Sequence, residues 1–523
     1  MTFHYIIVGA GSAGCVLANR LSANPQTRVC LVEAGPPDRN PLIHMPLGLA
    51  VLARSRRINW GFTTEPEPAL NHRRLYWPRG RVLGGSSSIN AMIYMRGHPL
   101  DYRDWAAVAG PDWDWPAVRQ TFLDLEGNTA LGPPHHGTTG PLTVSDLRQV
   151  NPLSRAFVRA GTECQHPETP DFNAETTEGV GLYQVTQQDG RRFSSARAFL
   201  DPVRHRPNLT ILTGQQVRRI LFSDRTATGI RLASRDLTLE PGGEILLAAG
   251  AIGSPQLLML SGIGPADHLQ AMGLPLIHHA PEVGANLADH LDITVQAATG
   301  PEAIGLAPRF LPRALRAAWA FRKGQGEFTS NVAEAGGFAK SDPERDRPNL
   351  QFHFLPALIH DHGRRTSWGY GLTLHVCDLY PQSRGTIRLS SPDPTAAPRI
   401  AANYLSHPDD LPILLQGLRL ARQITRAPAL ARHIRRETLP GPATSDADLI
   451  ADIRQRAETI YHPVGTCRMG LDDQAPADPQ GRIRGVSGLR VADASLMPRI
   501  IGGNTNAPTM MIAETLARRI SRR

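Results

Sequence analysis

The chain has 523 residues, 41% of them hydrophobic, which is enough to bury the cores of two domains. Its formal charge is +9, but the arginines that supply most of it are spread along the chain. This favours a solvated surface over a nucleic-acid site. No stretch of about 18 apolar residues is present, so we predict no integral membrane segment.

The five cysteines show neither CxxC nor zinc-type spacing, so we expect no metal finger, dithiol redox pair or c-type haem. An odd number of cysteines without a pattern of disulfide pairing suits a reducing compartment. No charged leader precedes the first apolar run. We therefore expect a cytoplasmic protein, with peripheral attachment to the inner membrane as the alternative.

The first 33 residues have the pattern of a βαβ unit. An apolar run, Tyr5 to Val8, ends in glycine, and Ala13 to Leu21 follow as a predicted helix. Arg28 to Val32 form a second buried-strand run, and Glu33 ends it.

The glycine turn of this unit reads Gly9-Ala10-Gly11-Ser12-Ala13-Gly14. Gly9 permits the tight turn, Gly11 lets the backbone approach a pyrophosphate, and Gly14 lets helix and strand pack closely. The helix N-terminus offers free N–H groups to phosphates, and Glu33 can accept hydrogen bonds from ribose hydroxyls. This predicts dinucleotide binding, with a plain glycine turn as the alternative, and it does not separate NAD from FAD.

Residues 36 to 151 are predicted to be loop-rich, and long loops in compact proteins usually wrap a ligand or serve function. Within them, Gly80 to Asn90 place adjacent glycines before three serines, which can surround a polar ligand. The alternative is a flexible surface loop, but the apolar residues that follow favour burial.

Further along the chain, Leu209 to Leu212 and Glu244 to Gly250 are predicted strands of the first sheet. Between about Gly300 and Ala397 the strands alternate polar with apolar residues, as in Gly371 to Leu379 and Thr386 to Leu389. We predict a second, mostly antiparallel domain there.

Three later segments are rich in glycine. Gly250 to Gly264 read as a strand end, a turn and a helix, and Tyr461 to Gly470 place His462 before a proline, on a predicted loop. Gly503 to Thr509 lead into the last predicted helix, which begins near Pro508. An amphipathic helix is also predicted around Leu411 to Leu418.

These segments together resemble the glucose–methanol–choline oxidoreductases over essentially the whole chain. Gly80 to Asn90 match the first family signature, and Gly250 to Gly264 match the second. Pro41 to Pro46 and Gln351 to Leu355 look most like the bacterial choline, sorbose and polyethylene-glycol dehydrogenases.

The resemblance implies an α/β FAD-binding Rossmann-like domain and an α+β substrate domain with a mostly antiparallel sheet. The FAD-binding domain would take residues 1–155, 208–296 and 488–523. The substrate domain would take residues 156–207 and 297–487.

By similarity the cofactor is FAD, held without a covalent bond, because Ile89 stands where some choline-oxidising members attach FAD to a histidine. Val217, expected in an edge strand, would contact adenine, and the remaining implied FAD contacts lie in four segments. They are Gly9, Gly11, Ser12, Ala13, Gly14, Glu33 and Ala34; Gly84, Ser86, Asn90, Ala91, Met92 and Ile93; Asp493 and Ala494; and Asn504, Thr505 and Thr509.

The resemblance makes His462 the catalytic base, which removes the hydroxyl proton of a small-molecule alcohol while hydride passes to flavin N5. Asn506 matches the second catalytic position and, as an amide, can only orient the alcohol or the developing alkoxide. His353 and Glu334 are substrate-pocket candidates, with a structural histidine and a surface glutamate as the alternatives.

The short histidine pairs at 135–136, 278–279 and 360/362 lack a third ligand at fixed spacing, so no metal site is expected. The electrons would leave to an external acceptor, oxygen or a quinone-type carrier. The alternatives to alcohol oxidation are a hydroxynitrile lyase-like enzyme with FAD, a photodecarboxylase, and an NAD-binding or purely structural protein. Primary alcohols, polyols, polyether ends, choline and aryl alcohols all remain open as substrates.

Overall fold

The computed structural model describes residues 2–305, 310–365, 367–442 and 445–522 and contains two large sheets. In the first sheet, Thr2–Val8 lies between the parallel strands Val29–Val32 and Asp236–Leu247. The remaining strands of this sheet are Leu209–Leu212 beside Val29–Val32, Thr226–Arg231 and Arg219–Ser223 at the other edge, and Leu489–Val491 beside Asp236–Leu247.

The parallel core of this sheet is buried on both faces, as the apolar runs predict. Helix Ser12–Leu21 makes the crossover between the first two strands and packs against the C-terminal helix Asn506–Ser521. The carboxyl ends of three parallel strands therefore meet at one edge, where Gly9, Glu33 and Ala248 follow the strands. Ligands of open α/β sheets bind at this edge.

The second sheet is antiparallel around its centre, where Leu291–Ala298, Gly371–Asp378 and Leu350–Leu355 are neighbours. It continues through Ala335–Ala339 to Gly179–Leu182 on one side and to Arg436–Leu439 on the other, with Glu458–Thr459 also beside Leu291–Ala298. Helix Asp410–Arg426 covers one face with Leu414 and Leu418.

The two-residue period of the strand Leu350–Leu355 separates its side chains. Phe354 is buried against Phe157, with ring centroids 4.9 Å apart. His353 is directed to the opposite face, where it lines a cavity. The second sheet thus has one face in the core and one face toward a site.

The helices of ten or more residues and the two-stranded ladders complete the fold. These helices are Ser12–Leu21, Pro99–Ala109, Trp115–Leu125, Pro152–Glu163, Gly250–Leu260, Phe310–Phe321, Asp410–Arg426, Asp446–Arg456 and Asn506–Ser521. The ladders pair Phe62–Thr63 with Tyr76–Trp77, Glu126–Asn128 with Leu142–Val144, Gln187–Gln188 with Arg191–Arg192, Ile263–Gly264 with His278–His279, and Thr386–Arg388 with Arg399–Ala401.

The expected fold class is confirmed, but several local expectations are wrong. The loop-rich stretch from 36 to 151 contains helices Pro99–Ala109 and Trp115–Leu125, each of which has a proline in its first two positions after the N-caps His98 and Asp114. By contrast, the strand expected at Thr386 to Leu389 is present as Thr386–Arg388, which pairs antiparallel with Arg399–Ala401 in a separate two-stranded ladder. Val217 precedes the strand Arg219–Ser223 instead of lying in it. The five segment boundaries inferred from the resemblance stay predictions.

Across the residues that the structure describes, no helix has both the length and the apolarity needed to cross a bilayer.

Candidate active site

One continuous cavity of about 410 Å³ runs between the two sheets. One end lies at the glycine turn and Glu33, and the other end lies at His462 and His353. Most of the residues singled out in the sequence line it. They are Gly9, Gly11, Ser12, Ala13, Glu33, Ala34, Ser86, Asn90, Ala91, Met92, Ile93, Val217, His353, His462, Asp493, Ala494, Asn504, Thr505, Asn506 and Thr509.

The glycine turn has the geometry of a phosphate cradle. Gly9 has φ +99°, and a Cβ there would lie 2.5 Å from the Ala248 carbonyl oxygen. A Cβ on Gly14 would lie 1.9 Å from the Gly9 carbonyl oxygen, so this glycine serves helix–strand packing outside the cavity. A Cβ on Gly11 would meet protein only at 3.9 Å, because the space beside it belongs to the cavity. The turn fits a bound pyrophosphate.

Glu33 is buried at the same end of the cavity. Its carboxylate accepts hydrogen bonds from Ala10 N at 2.9 Å and Gly35 N at 2.8 Å. Burial raises the pKa of Glu33 to about 7, against the lowering effect of these backbone N–H groups and of Arg81. A ribose hydroxyl that donates to this carboxylate would favour its charged form.

A second glycine turn packs against the first. Gly84 N donates to the Ala10 carbonyl oxygen at 2.8 Å, and Gly84 has φ +86°. Gly84 does not line the cavity, whereas Gly85 does, and a Cβ on Gly85 would lie 2.6 Å from Gly11 Cα. The structure therefore assigns Gly84 to the turn and Gly85 to the cavity wall, which corrects the expected contact.

Asp493 stabilises the start of helix Gly250–Leu260. Its carboxylate accepts from Gly250 N at 2.8 Å and from Ser495 N at 2.8 Å. Burial raises its pKa, opposed first by the hydroxyl of Ser254. With the carboxylate so engaged, this segment presents its backbone and Ala494 to the cavity.

Asn506 begins the C-terminal helix, and its Oδ1 accepts a hydrogen bond from Ser12 Oγ at 2.6 Å. This bond ties the helix to the glycine turn. The amide that reaches His462 belongs instead to Asn504, whose Nδ2 lies 3.2 Å from His462 Nε2. Asn504 Oδ1 accepts from Gln351 Nε2 at 3.1 Å, which fixes the orientation of the amide. The family resemblance places Asn506 beside the base, and the structure corrects this expectation by placing Asn504 there.

His462 lies on a loop, as predicted, and hydrogen bonds with Asp289 and Arg79 hold this loop in place. Asp289, a buried carboxylate, accepts from His462 N at 2.7 Å and from Thr459 Oγ1 at 2.6 Å. Arg79 donates to the Tyr461 carbonyl oxygen at 2.7 Å. Tyr461 itself has φ +76°, a strained conformation for a residue with a side chain. These contacts fix the direction in which the His462 side chain projects from the loop.

The His462 ring takes part in a chain of hydrogen bonds that assigns its tautomer. His290 Nε2 lies 3.0 Å from the Leu379 carbonyl oxygen, which can only accept, so His290 Nε2 is protonated. His290 Nδ1 then accepts from His462 Nδ1, 2.9 Å away. His462 Nε2 is left without a proton, and it faces the cavity.

Burial keeps both rings neutral. It lowers the pKa of His462 well below the usual value, and His290, His353 and Arg79 lower it further. It lowers the pKa of His290 to about 3, although hydrogen bonds with the backbone of Leu379 and Ile501 oppose the shift. A free base at His462 therefore persists across neutral pH.

His353 lies across the cavity and is 4% exposed. Neither ring nitrogen has a partner of hydrogen-bonding geometry within the described residues. Burial lowers the pKa of His353 to about 3, His375 and His290 add to this, and the nearby Asn504 amide opposes it. A buried neutral imidazole with both nitrogens unpaired can bind an oxygen of a substrate.

Glu334 does not line the cavity, so the expected substrate contact is not present there. Its carboxylate accepts from Asn151 N at 2.7 Å and from the hydroxyls of Ser154 and Ser330 at 2.7 Å and 2.5 Å. With both oxygens occupied by the protein, Glu334 connects the start of helix Pro152–Glu163 to the second sheet.

Sequence reasoning missed four residues of this site: His290, Asp289, Arg79 and His375. Asp289 and His290 directly precede the buried strand Leu291–Ala298, and two polar residues before an apolar run were the available signal. His375 lines the cavity, and its Nδ1 lies 2.6 Å from Asp292 Oδ2. Arg79 sits beside the first signature, one position before Gly80, and carried no signal of its own.

Within the described part of the chain, no three histidine, cysteine, aspartate or glutamate side chains group as metal ligands. The histidine pairs have other partners. His136 bonds Glu126 and Asp171, the backbone of Ala266 donates to His279, and His362 bonds Tyr461 and Glu458.

The family model described as GMC oxidoreductase matches residues 3–292 with its N-terminal part and 381–513 with its C-terminal part. An alcohol dehydrogenase [acceptor] of Pseudomonas putida is 54% identical over 100% of this chain and 96% of its own length. An oxygen-dependent choline dehydrogenase of Ectopseudomonas mendocina is 44% identical over 99% and 94%. The crystal structure of pyridoxine 4-oxidase from Mesorbium loti superposes with a TM-score of 0.90 at 34% identity, covering 99% of each chain.

Proposed function

Because the chain belongs to the GMC oxidoreductase family, an FAD-dependent family that oxidises alcohols, we propose that His462 is its catalytic base. The chain is an FAD-dependent oxidoreductase that acts on CH–OH groups and passes the electrons to an external acceptor. The observation that carries the proposal is the hydrogen-bond chain that leaves His462 Nε2 unprotonated toward the cavity.

The residues that hold FAD follow the length of the cavity. The glycine turn and the start of helix Ser12–Leu21 would hold the pyrophosphate, and Glu33 would hold the ribose. Ser86 and Asn90 to Ile93 would line the flavin on one side, and Asn504 to Thr509 on the other. Ile89 has no atom that could bond covalently to it. When bound, FAD supplies the acceptor for the hydride that leaves the carbinol carbon.

The proton step belongs to His462. Its Nε2 takes the hydroxyl proton as the C–H bond of the alcohol weakens. Burial disfavours the imidazolium, so the transfer becomes favourable only as negative charge develops on the substrate oxygen beside it. Asn504, whose amide is oriented by Gln351, directs an N–H at the same region. It can exchange its bond to His462 for one to the developing alkoxide.

We place His353 opposite the base as the second contact for the substrate oxygen. Its unpaired nitrogens and its burial support this role. Asn506 cannot act as a base. Through its hydrogen bond with Ser12 it would orient the glycine turn at the cofactor end of the cavity, and it would not orient the alcohol.

The proposed substrate is an uncharged alcohol with an apolar body. Within the described cavity wall the carboxylates are Glu33 and Asp493, both at the FAD end and both engaged by backbone N–H groups. A quaternary ammonium in the cavity would therefore meet no carboxylate of the wall near His462, since the buried Asp289 lies behind the loop and does not line the cavity. At the substrate end, the wall carries the apolar side chains of Leu355, Ile359 and Ile460 beside His353, His362 and His375.

For the electron acceptor we propose a quinone-type carrier. Leu49, Ala50 and Ala53 form an apolar wall of the cavity beside the exposed Val51, which suits a lipid-soluble ring. Oxygen, named by the choline dehydrogenase relatives, is the competing acceptor. A cytoplasmic location is supported by the five cysteines, all of them free.

The proposal is tested by flavin bleaching under anaerobic conditions. Primary alcohols of increasing chain length should bleach the yellow holoenzyme, and choline at the same concentration should not. A ubiquinone analogue should then restore the colour faster than air. If choline bleaches the flavin as fast as a primary alkanol, the substrate assignment fails. If a cyanohydrin is cleaved while no alcohol bleaches the flavin, the lyase alternative replaces oxidation.

A further inference from the structure

A short β-hairpin places two neighbouring arginines on opposite sides. Its strands, Gln187–Gln188 and Arg191–Arg192, are joined by two residues with φ values of +53° and +69°, as a type I′ turn requires. Side chains alternate along a strand, so Arg191 is exposed while Arg192 is directed inward and is fully buried. The hairpin therefore carries one solvated guanidinium and one buried guanidinium.

The buried guanidinium of Arg192 binds oxygen atoms of two other segments. Its Nε donates to the Ile43 carbonyl oxygen at 2.8 Å. Its Nη1 donates to the Ser87 carbonyl oxygen at 3.1 Å and to Asn90 Oδ1 at 2.8 Å. Ser87 and Asn90 belong to the glycine- and serine-rich segment 80–90, so Arg192 holds this segment from the side opposite the cavity.

Arg192 keeps its positive charge without a neutralising partner. All three oxygens that it contacts are uncharged, and among the residues that the structure describes no carboxylate pairs with it and its Nη2 has no hydrogen-bond partner. Burial lowers the pKa of Arg192 to about 9, which still leaves the guanidinium protonated at neutral pH. Burying an unpaired cation is costly. A neutral side chain could join these oxygens at a lower cost, so the charge calls for a further role.

Arg192 determines which end of the Asn90 amide faces the cavity. Asn90 Oδ1 accepts from Arg192 Nη1 and, at 3.0 Å, from Met92 N. Because both partners can only donate, the atom between them is the amide oxygen. Asn90 lines the cavity, and its Nδ2 forms no hydrogen bond within the described part of the chain. The amide therefore presents an N–H donor to the cavity.

We propose that Arg192 is a positioning residue that raises the reduction potential of the bound flavin by holding Asn90 Nδ2 toward it. The hydride brings two electrons to the flavin, and a donor aimed at the ring stabilises the negative charge that the ring gains. The guanidinium behind the amide polarises its N–H bond and strengthens the donor. The inference rests on the proposed placement of the flavin beside Asn90 and not on His462 as the base.

The test is the midpoint potential of the flavin in the purified holoenzyme, measured by anaerobic equilibration with a reference dye. R192M keeps a long side chain but carries neither the charge nor a donor. It should shift the equilibrium about tenfold or more toward oxidised flavin, which is a fall of about 30 mV for a two-electron couple. R191M is the matched control: Arg191 is exposed, with its guanidinium over the Phe321 ring, and this variant should keep the parental potential.

Two further variants separate positioning from cross-linking. N90A removes the amide and leaves Arg192 in place, so it should lower the potential to a similar extent. In the N90A background R192M should cause little further change, because Arg192 acts through the amide. R192K keeps the charge but lacks the planar fork, so its potential should lie between those of the parent and N90A.

A parental potential in flavin-containing R192M, together with a lower Tm, would reduce Arg192 to a cross-link and overturn the inference. A shift in R192M but not in N90A would overturn it too, since the guanidinium would then act directly. If R192M loses its flavin, a parental potential in either R192K or N90A would decide against the inference. Failure of the base assignment is a separate result: it would appear in the turnover of His462 variants and leave these potentials unchanged.

Discussion

Nδ1 of His290 lies 2.9 Å from Nδ1 of His462, and the two rings meet edge to face at 87°. Because the far nitrogen of His290 is committed to the Leu379 carbonyl oxygen, His290 can only accept from His462. The Leu379 carbonyl oxygen thereby selects the tautomer of His462 through two successive hydrogen bonds. His290 is a positioning residue, since it acts through His462.

Removing the acceptor at His290 should slow catalysis without removing FAD. His290→Phe keeps an aromatic ring of similar shape but no longer accepts the His462 proton, so both tautomers of His462 become populated. We expect kcat to fall roughly tenfold to a hundredfold, with KM nearly unchanged. Steady-state kinetics at equal flavin content measure this. An unchanged kcat in a yellow variant would show that the tautomer is set elsewhere.

Replacing the base, His462, should lower the catalytic rate more than replacing His290. His462→Ala should lower kcat/KM by on the order of a hundredfold or more while the protein stays yellow. His462→Gln, which restores a hydrogen-bonding group but no base, is the matched control and should be equally slow. Parental turnover in either variant would contradict the assignment.

The buried neutral histidines make the stability of the fold depend on pH. The pKa values of His290 and His353 are lowered to about 3, below the unfolded value near 6.5. The unfolded chain therefore binds protons first as the pH falls from 6.5 toward 3, and stability is lost over that window. Each group destabilises the fold by about 2 kcal/mol at pH 5 relative to pH 7.

Thermal unfolding of the holoenzyme at pH 7 and pH 5 checks this dependence. His353→Leu should flatten it, since it removes one of the titrating groups. A Tm that rises on acidification would show that other groups dominate.

Gly14→Ala should abolish retention of FAD, because the added methyl group would lie 1.9 Å from the Gly9 carbonyl oxygen and would force the cradle open. Gly132→Ala is the control, since a Cβ there meets nothing within 4 Å. Flavin absorbance per mole of purified protein is the measurement. Parental flavin content in Gly14→Ala would mean that the turn does not hold the pyrophosphate.

His353→Leu should also lower kcat/KM roughly tenfold, since one hydrogen bond to the substrate oxygen would be lost. Glu334→Gln provides the contrast: its carboxylate is occupied by protein groups, so the variant should lose thermal stability and keep its KM. An unchanged kcat/KM in His353→Leu would place the substrate oxygen away from this side of the cavity.

The sequence by itself determined the parts of this protein that depend on short spacing. The glycines at 9, 11 and 14 and the acid at 33 specify a βαβ turn because each role lies within one strand–helix–strand unit. His462 could be identified because it stands before a proline in a glycine-rich loop. The resemblance of the chain to the family then gave it the role of catalytic base. Alternation of polar and apolar residues along Gly371 to Leu379 likewise indicated a strand of the second domain.

Tertiary structure alone decided which side chains surround the base. His290 is 172 residues from His462 in the chain, and the backbone carbonyl that orients it belongs to Leu379. Spacing of two residues in Asn504-Thr505-Asn506 does not say which amide reaches the imidazole; the start of the C-terminal helix turns Asn506 toward Ser12 and leaves Asn504 beside the base. Such contacts depend on how two sheets pack together, and packing joins residues whose distance along the chain carries no local signal.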